Sequence, residues 1–274
     1  MTLYLEFDNV NHCSVNKEFM SSSFAPTDSL EGKVAVITGG TGAIGLASAR
    51  RLAQLGARCV LLYNSESPEG AAAKALALPG TGHLTFKAAI TDSASLQAVA
   101  DQVAAQCGAV HILVNSAGYT KAVPAADLEG LSDDLIDNML KVNFRGVIAT
   151  IRAFMPLLKK SEDGLIVNIS SIAGFTGTGS NLAYVAAKAS IDVVGDALAK
   201  AFAPHVRVIS VSPGVVDSSF VPGRGSDFND KVAPTIPLRR IGTVDDVAAV
   251  VQACATTMRY VTGTRIVVDG GRHL

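Results

Sequence analysis

Charge is scarce in this sequence. Only 17 % of its 274 residues are charged and the formal net charge is −1, where an ordinary soluble domain carries about 25 % charged residues. Without a basic stripe the chain lacks the electrostatic footprint of a nucleic-acid binder. Its four cysteines, at 13, 59, 107 and 254, have neither CxxC nor Cys/His spacing. They read as reduced, mostly buried thiols of a cytoplasmic protein, which argues against a disulfide frame and a metal site. No apolar run approaches the roughly 18 residues of a membrane span. The N-terminus carries Glu6 and Asp8 in place of the basic and apolar regions of a signal peptide. No internal repeat or low-complexity linker divides the chain. What is abundant is apolar surface, at 49 % of residues, enough for buried helices and a large sheet, with surface left for subunit contacts.

The stretch that organises the chain is Val34-Ala-Val-Ile-Thr-Gly-Gly-Thr-Gly-Ala-Ile-Gly45. Its apolar, mostly β-branched start suits a strand buried on both faces. Glycines at 39, 40, 42 and 45 follow, then the helical pattern Leu46–Leu55. Strand, glycine turn and helix together offer free backbone N–H groups and a positive dipole end to a phosphate. A tight β-to-α connection that binds nothing has the same signature, so the turn needs company. A nucleoside-triphosphate loop is excluded, because Leu46-Ala47 stand where Lys-Ser/Thr is required. A dinucleotide fits better.

Strands are expected at Lys33–Ile37, Arg58–Tyr63, Leu84–Ala88, Val110–Val114, Leu165–Ile169, Val206–Val211 and Arg265–Val268, with helices near 43–55, 67–78, 93–106, 132–160, 181–203 and 243–258. Asp92 or Ser93 suits an N-cap for the third helix and Ser132 for the fourth. This alternation predicts an α/β fold: a single-domain, Rossmann-type, doubly wound parallel sheet with helices on both faces. Residues 31–274 form that domain. Residues 1–30 lack periodicity and read as a poorly ordered extension, with Met20 a second possible start. The segment 217–238 breaks the rhythm with turn formers and isolated aromatics, as a functional lid would.

Ligands of such sheets bind at the carboxyl ends of the strands. There the sequence places Asn115-Ser-Ala-Gly118, Ser170 and Ser171. The next helix carries Tyr184 and Lys188, whose i, i+4 spacing sets a phenol and an ammonium on one helical face. A nearby cation lowers a phenol's pKa from near 10 towards working pH, where acid–base catalysis is most efficient. Ser170 reads as a structural cap of its strand. A serine hydrolase is disfavoured, since no Gly-x-Ser-x-Gly elbow occurs.

Taken in order, Thr38-Gly-Gly-Thr-Gly-Ala-Ile-Gly45, Asn115-Ser-Ala-Gly118, Asn143 in Val-Asn-Phe-Arg-Gly, Ser171, Tyr184-x-x-x-Lys188, Pro213-Gly214 and Val261-Thr-Gly-Thr-Arg-Ile-Val-Val-Asp-Gly-Gly271 resemble the short-chain dehydrogenase/reductase family. The resemblance covers essentially residues 31–274. It implies an oxidoreductase moving a hydride between a nicotinamide cofactor and a small-molecule carbonyl or secondary alcohol. Tyr184 is then the acid–base group, Ser171 the partner of the substrate oxygen, Lys188 the cation, and Asn143 the anchor of a helix distortion and a water. Cofactor contacts are implied at Gly39, Thr41, Gly42, Ile44, Gly45, Tyr63, Asn64, Ser65, Asn115, Ala117, Gly118, Tyr184, Lys188, Pro213, Gly214, Val216 and Ser218. A homotetramer is implied too, and the Ala- and Ser-rich helix near 181–203 suits close subunit contact.

Four positions depart from the family pattern. Ala43 replaces its middle glycine, though Gly42 restores a G-x-x-G-x-x-G spacing. Ser116 replaces a frequent Asn, and Ile209 another. Ala89 replaces an Asp that contacts adenine, leaving that contact missing or moved to Asp92. Tyr63 occupies the place, about 20 residues past the turn, where an NAD-selecting enzyme puts a carboxylate. NADP(H) is therefore expected over NAD(H), with NAD(H) still possible because no Arg or Lys lies within Gly39–Gly45 or at 63–67. Tyr119, Phe175, Val215, Val216 and Phe220 are candidates for an apolar substrate pocket. A non-catalytic dinucleotide sensor on the same fold is the other class, but it has no reason to keep Asn143, Ser171, Tyr184 and Lys188 together.

Overall fold

The computed structural model describes residues 28–274 except 223, 224 and 226. Most of the expected extension, with Cys13 and Met20, lies outside the described residues. Leu30, assigned to that extension, is buried, and its N–H donates to the Leu55 carbonyl at 2.7 Å.

Seven strands form one parallel sheet: β1 Val34–Thr38, β2 Arg58–Tyr63, β3 Leu84–Lys87, β4 Ile112–Asn115, β5 Gly164–Ile169, β6 Val206–Pro213 and β7 Thr264–Val268. Their order across the sheet is β3-β2-β1-β4-β5-β6-β7. β1 thus lies between β2 and β4, and chain direction across the sheet reverses there, at the switch point where such folds open a crevice. Register aligns Thr38 with Leu62 on one side and with Asn115 on the other, and Asn115 with Asn168. Both faces are covered. α1 (Ala43–Gln54) and α9 (Val244–Ala255) bury Leu52, Val247 and Val251 against one face. α3 (Ser93–Cys107), α5 (Gly146–Lys160) and α7 (Leu182–Phe202) bury Val99, Phe154 and Ile191 against the other. A sheet buried on both sides explains why the strands are apolar throughout instead of alternating. α2 (Pro68–Leu76) joins β2 to β3.

The helix expected over 132–160 is divided. α4 (Asp133–Leu140) is capped by Ser132, a π-helical turn spans Lys141–Arg145, and α5 follows. The cause lies in one side chain. Asn143 Nδ2 donates to the Met139 carbonyl at 3.1 Å, the acceptor that a regular helix reserves for the Asn143 backbone N–H. Two short helices were not expected: α6 (Ala173–Thr176) after Ser171, and α8 (Phe228–Val232) inside the segment 217–238.

Candidate active site

The glycine turn is as tight as backbone allows. Gly39 sits at φ +61°, and a Cβ on Gly45 would lie 2.2 Å from the Gly39 carbonyl oxygen. No side chain caps the N-terminus of α1 and no acid occupies its first turn. Its N–H groups therefore keep their positive end for an anion. This is a cradle that fits a dinucleotide pyrophosphate.

A cleft of about 1440 Å³ runs along the carboxyl ends of the strands. Gly39, Thr41, Gly42 and Ile44 line it, then Tyr63, Asn64 and Ser65, Ala117 and Gly118, Ser171, Tyr184 and Lys188, and Pro213, Gly214, Val216 and Ser218. Three expected site residues do not line it. Gly45 packs beneath the turn. Asn115 is buried, with Nδ2 on Asn168 Oδ1 at 2.9 Å. Asn143 is wholly buried and donates to the carbonyls of Tyr119 and Met139. Its Oδ1 lies where a Cβ on Gly118 would come within 2.7 Å, so Asn143 supports the cleft wall from behind and only glycine fits at 118. Ala89 lines the cleft, whereas the Asp92 carboxylate is spent capping α3, accepting from the N–H groups of Ala94 and Ser95. Asp92 does not line the cleft.

α7 starts at Asn181, whose side chain accepts from the Tyr184 N–H at 2.7 Å. This cap sets Tyr184 in the first turn, with its ring buried and 6.1 Å from that of Phe220. Lys188, one turn on, is buried, donates to the Ile169 carbonyl at 2.7 Å and lies 5.6 Å from the Tyr184 ring centroid. Loss of hydration pushes its pKa down to about 8, opposed by the charge of Asp192. Asp192 is itself pushed up by burial, opposed by the nearby hydroxyls of Ser170 and Ser210 and the charges of Arg265 and Lys188. Ser171 accepts from the Ala173 N–H at 3.2 Å. Ser170 is buried, its hydroxyl donating to the Lys188 carbonyl at 3.3 Å.

Of the apolar pocket candidates, Tyr119, Val215, Val216 and Phe220 line the cleft. Phe175 does not: its ring is taken by the edge of His273 and the guanidinium of Arg265. The segment 217–238 contributes Val221, Pro222, Phe228 and Thr235 to the lining. Some site residues escaped the sequence reading. Asp192 had a signal, since it continues the i, i+4 series from Tyr184 and Lys188. Lys74 had none, although its ammonium reaches the Thr41 carbonyl at 3.1 Å and pairs with Glu66. Arg272 and His273 also reach the cleft. Among the described residues no cluster of His, Cys, Asp or Glu is placed to hold a metal ion, and no helix is long and apolar enough to cross a membrane.

Fold and cleft together define a dinucleotide-dependent oxidoreductase of the doubly wound class. A family model described as enoyl-(acyl carrier protein) reductase matches residues 40–273. The chain is 36 % identical over 252 residues to a protein of Streptomyces violaceoruber provisionally named ketoacyl reductase 2 of the granaticin polyketide synthase, covering 90 % of this chain and 99 % of that one. It is 30 % identical over 246 residues to the 3-oxoacyl-[acyl-carrier-protein] reductase FabG of Escherichia coli, covering 89 % and 98 %. A solved short-chain dehydrogenase/reductase from Brucella melitensis, titled a glucose/ribitol dehydrogenase, superposes with a TM-score of 0.83 at 30 % identity, over 89 % of this chain and 98 % of that one. The chain belongs to the short-chain dehydrogenase/reductase family. It is an oxidoreductase acting on carbonyl and alcohol groups.

Proposed function

We propose that the chain interconverts a small-molecule carbonyl and its secondary alcohol with NADP(H), using Tyr184 as the acid–base group. The observation that carries this reading is the Tyr184–Lys188 pair on α7: a buried ammonium fixed on Ile169, beside a phenol at the cleft wall.

A bound nicotinamide dinucleotide supplies or accepts the hydride, and the protein supplies placement and charge. Gly39, Thr41, Gly42 and Ile44 would hold its pyrophosphate, with Gly45 letting the turn close. Tyr63, Asn64 and Ser65 would meet the adenosine ribose. Ala117 and Gly118 would form the wall between, backed by the buried Asn115, and Pro213, Gly214, Val216 and Ser218 would flank the nicotinamide. In reduction the Tyr184 hydroxyl gives its proton to the developing alkoxide, and in oxidation its oxygen takes the proton back. Ser171 donates a hydrogen bond to the same oxygen as its charge grows. Lys188 favours the tyrosinate by its positive charge and would hold the ribose hydroxyls. Asn143 keeps the distorted helix in place by donating to the carbonyls of Met139 and Tyr119.

Preference for NADP(H) is supported by the absence of a carboxylate at position 63 and by Lys74, which brings positive charge to the glycine turn. Its pairing with Glu66 opposes that effect, so NAD(H) is expected to work less well instead of failing. Assembly as a homotetramer is supported by the outward face of α7, where Leu182, Ala186, Val193 and Ala197 are exposed. A cytoplasmic setting is supported by Cys59 and Cys254, both buried and unpaired.

Tyr184→Phe tests the central role. Turnover should fall by at least ~10²–10⁴-fold, the usual worth of an acid–base group, while NADPH binding survives. Near-normal kcat on a good substrate would overturn the assignment. In the same assay, a higher kcat/KM with NADH than with NADPH would refute the cofactor preference.

A further inference from the structure

The cleft has an unusual charge balance. Among the described residues that line it there is no carboxylate, and the only cations are Lys188 and Arg272, the latter beside His273. Lys188 is committed to the Ile169 carbonyl. Arg272 is not committed to any carboxylate among the described residues. Arg51, Arg240, Arg259 and Arg265 each face one, at Asp245, Asp246, Asp163 and Asp192.

Arg272 reaches the cleft by a fixed route. After β7, Gly270 and Gly271 take φ of +65° and +86°, a left-handed conformation that side chains resist. Asp269 then pins the returning chain. Its carboxylate accepts from the Gly271 N–H at 2.9 Å and the His273 N–H at 2.8 Å, and meets His273 Nδ1 at 2.8 Å. These bonds use the one acid close to Arg272 in sequence. The turn leans on α6, the helix that follows Ser171, through an edge contact of His273 with Phe175 at 5.7 Å. Arg272 is left at the wall, donating from Nη1 to Thr235 Oγ1 at 3.2 Å.

A guanidinium has five donors in a planar fork, a geometry that matches a carboxylate two bonds at a time. A single neutral hydroxyl leaves most of that capacity unused. An acid-free cleft wall also concentrates positive potential on whatever enters. We propose that Arg272 binds a carboxylate carried by the substrate, so that the chain reduces oxo acids and oxidises the corresponding hydroxy acids. This rests on the carbonyl–alcohol reading above and adds the substrate class. The reacting carbonyl carbon gains the cofactor's hydride and its oxygen gains the Tyr184 proton. The carboxylate is unchanged and serves only to orient the substrate.

The test compares levulinate and its longer homologues with their methyl esters, using the purified full chain and NADPH. The ester keeps the ketone and removes the charge. At least one acid should exceed its ester by tenfold or more in kcat/KM. Arg272→Met should reduce that advantage at least tenfold, mainly through KM, and Arg272→Lys should restore part of it. Calorimetric titration of the same acids into the enzyme with NADP⁺ gives a readout independent of turnover, and Arg272→Met should abolish that binding. Esters turned over as well as acids, or acids that fail to bind, would overturn the inference while leaving the carbonyl–alcohol reading intact. An Arg272→Met variant weakened equally for acid and ester, with a raised Kd for NADPH, would assign Arg272 to a cofactor phosphate and overturn it as well. Failure of the underlying reading looks different: full activity in Tyr184→Phe.

Discussion

Lys188 is held against its own preference. Burial lowers its pKa from 10.5 to about 8, so below pH 8 the folded chain carries the whole cost of a desolvated ammonium. Between about 8 and 10.5 the folded state has released the proton and the unfolded state still binds it, so stability from this group rises with pH. Lys188→Met removes the cost. The variant should melt above wild type at pH 7, with the gap closing towards pH 10 and turnover lost. Equal melting temperatures at pH 7 would mean that the ammonium is better solvated than its surroundings suggest. Such an exchange of stability for activity is common where a site needs a strained group. Tyr184 and Lys188 were legible because one helical turn fixes their relation. Lys74 and Arg272 were not. Lys74 reaches the glycine turn from a helix 33 residues past Thr41 and Arg272 reaches the cleft from a turn after the last strand, and no local spacing encodes either approach.

Among the elements, the strands were the easiest to read, since burial on both faces makes each a continuous apolar run. Their ends moved by a residue or two because the sheet register, set by neighbours, decides where pairing stops. The break in the long helix was expected only through the family resemblance at Asn143, and the helical periodicity over 132–160 gave no sign of it. Gly146 follows the π-helical turn directly without ending the helix, and Pro156 lies inside α5 without ending it. The break is made by the side chain of Asn143 competing for a backbone acceptor, which no propensity scale records. The connection from β1 to α1 is the opposite case, since its glycines announce it. Gly45→Ala would set a methyl 2.2 Å from the Gly39 oxygen, and the turn must open to admit it. NADPH affinity should fall at least tenfold by fluorescence titration, with far-UV circular dichroism close to wild type. Undiminished affinity would show that the turn has slack elsewhere.

For the whole molecule, the outer face of α7 is the most telling surface. Val193 is 70 % exposed and continues a stripe of small apolar residues, a surface suited to a second copy related by a two-fold axis. Val193→Glu would bury a charge at such a contact, so light scattering should show a smaller particle than wild type. A monomeric wild type would remove the basis for this expectation. The sheet order carries a consequence of another kind, for the chain as it is being made. β1 lies inside the sheet, yet its second neighbour is β4, and the Val34 N–H waits for His111 Nδ1, 77 residues later. Until β4 has left the ribosome, one whole edge of the most apolar strand stands unpaired, with β2 and β3 complete on its other side. An open edge of that kind invites pairing with another chain. Once β4 pairs, the open edge passes to it and then to each later strand in turn, so the growing sheet keeps an edge awaiting its next strand until β7 is made.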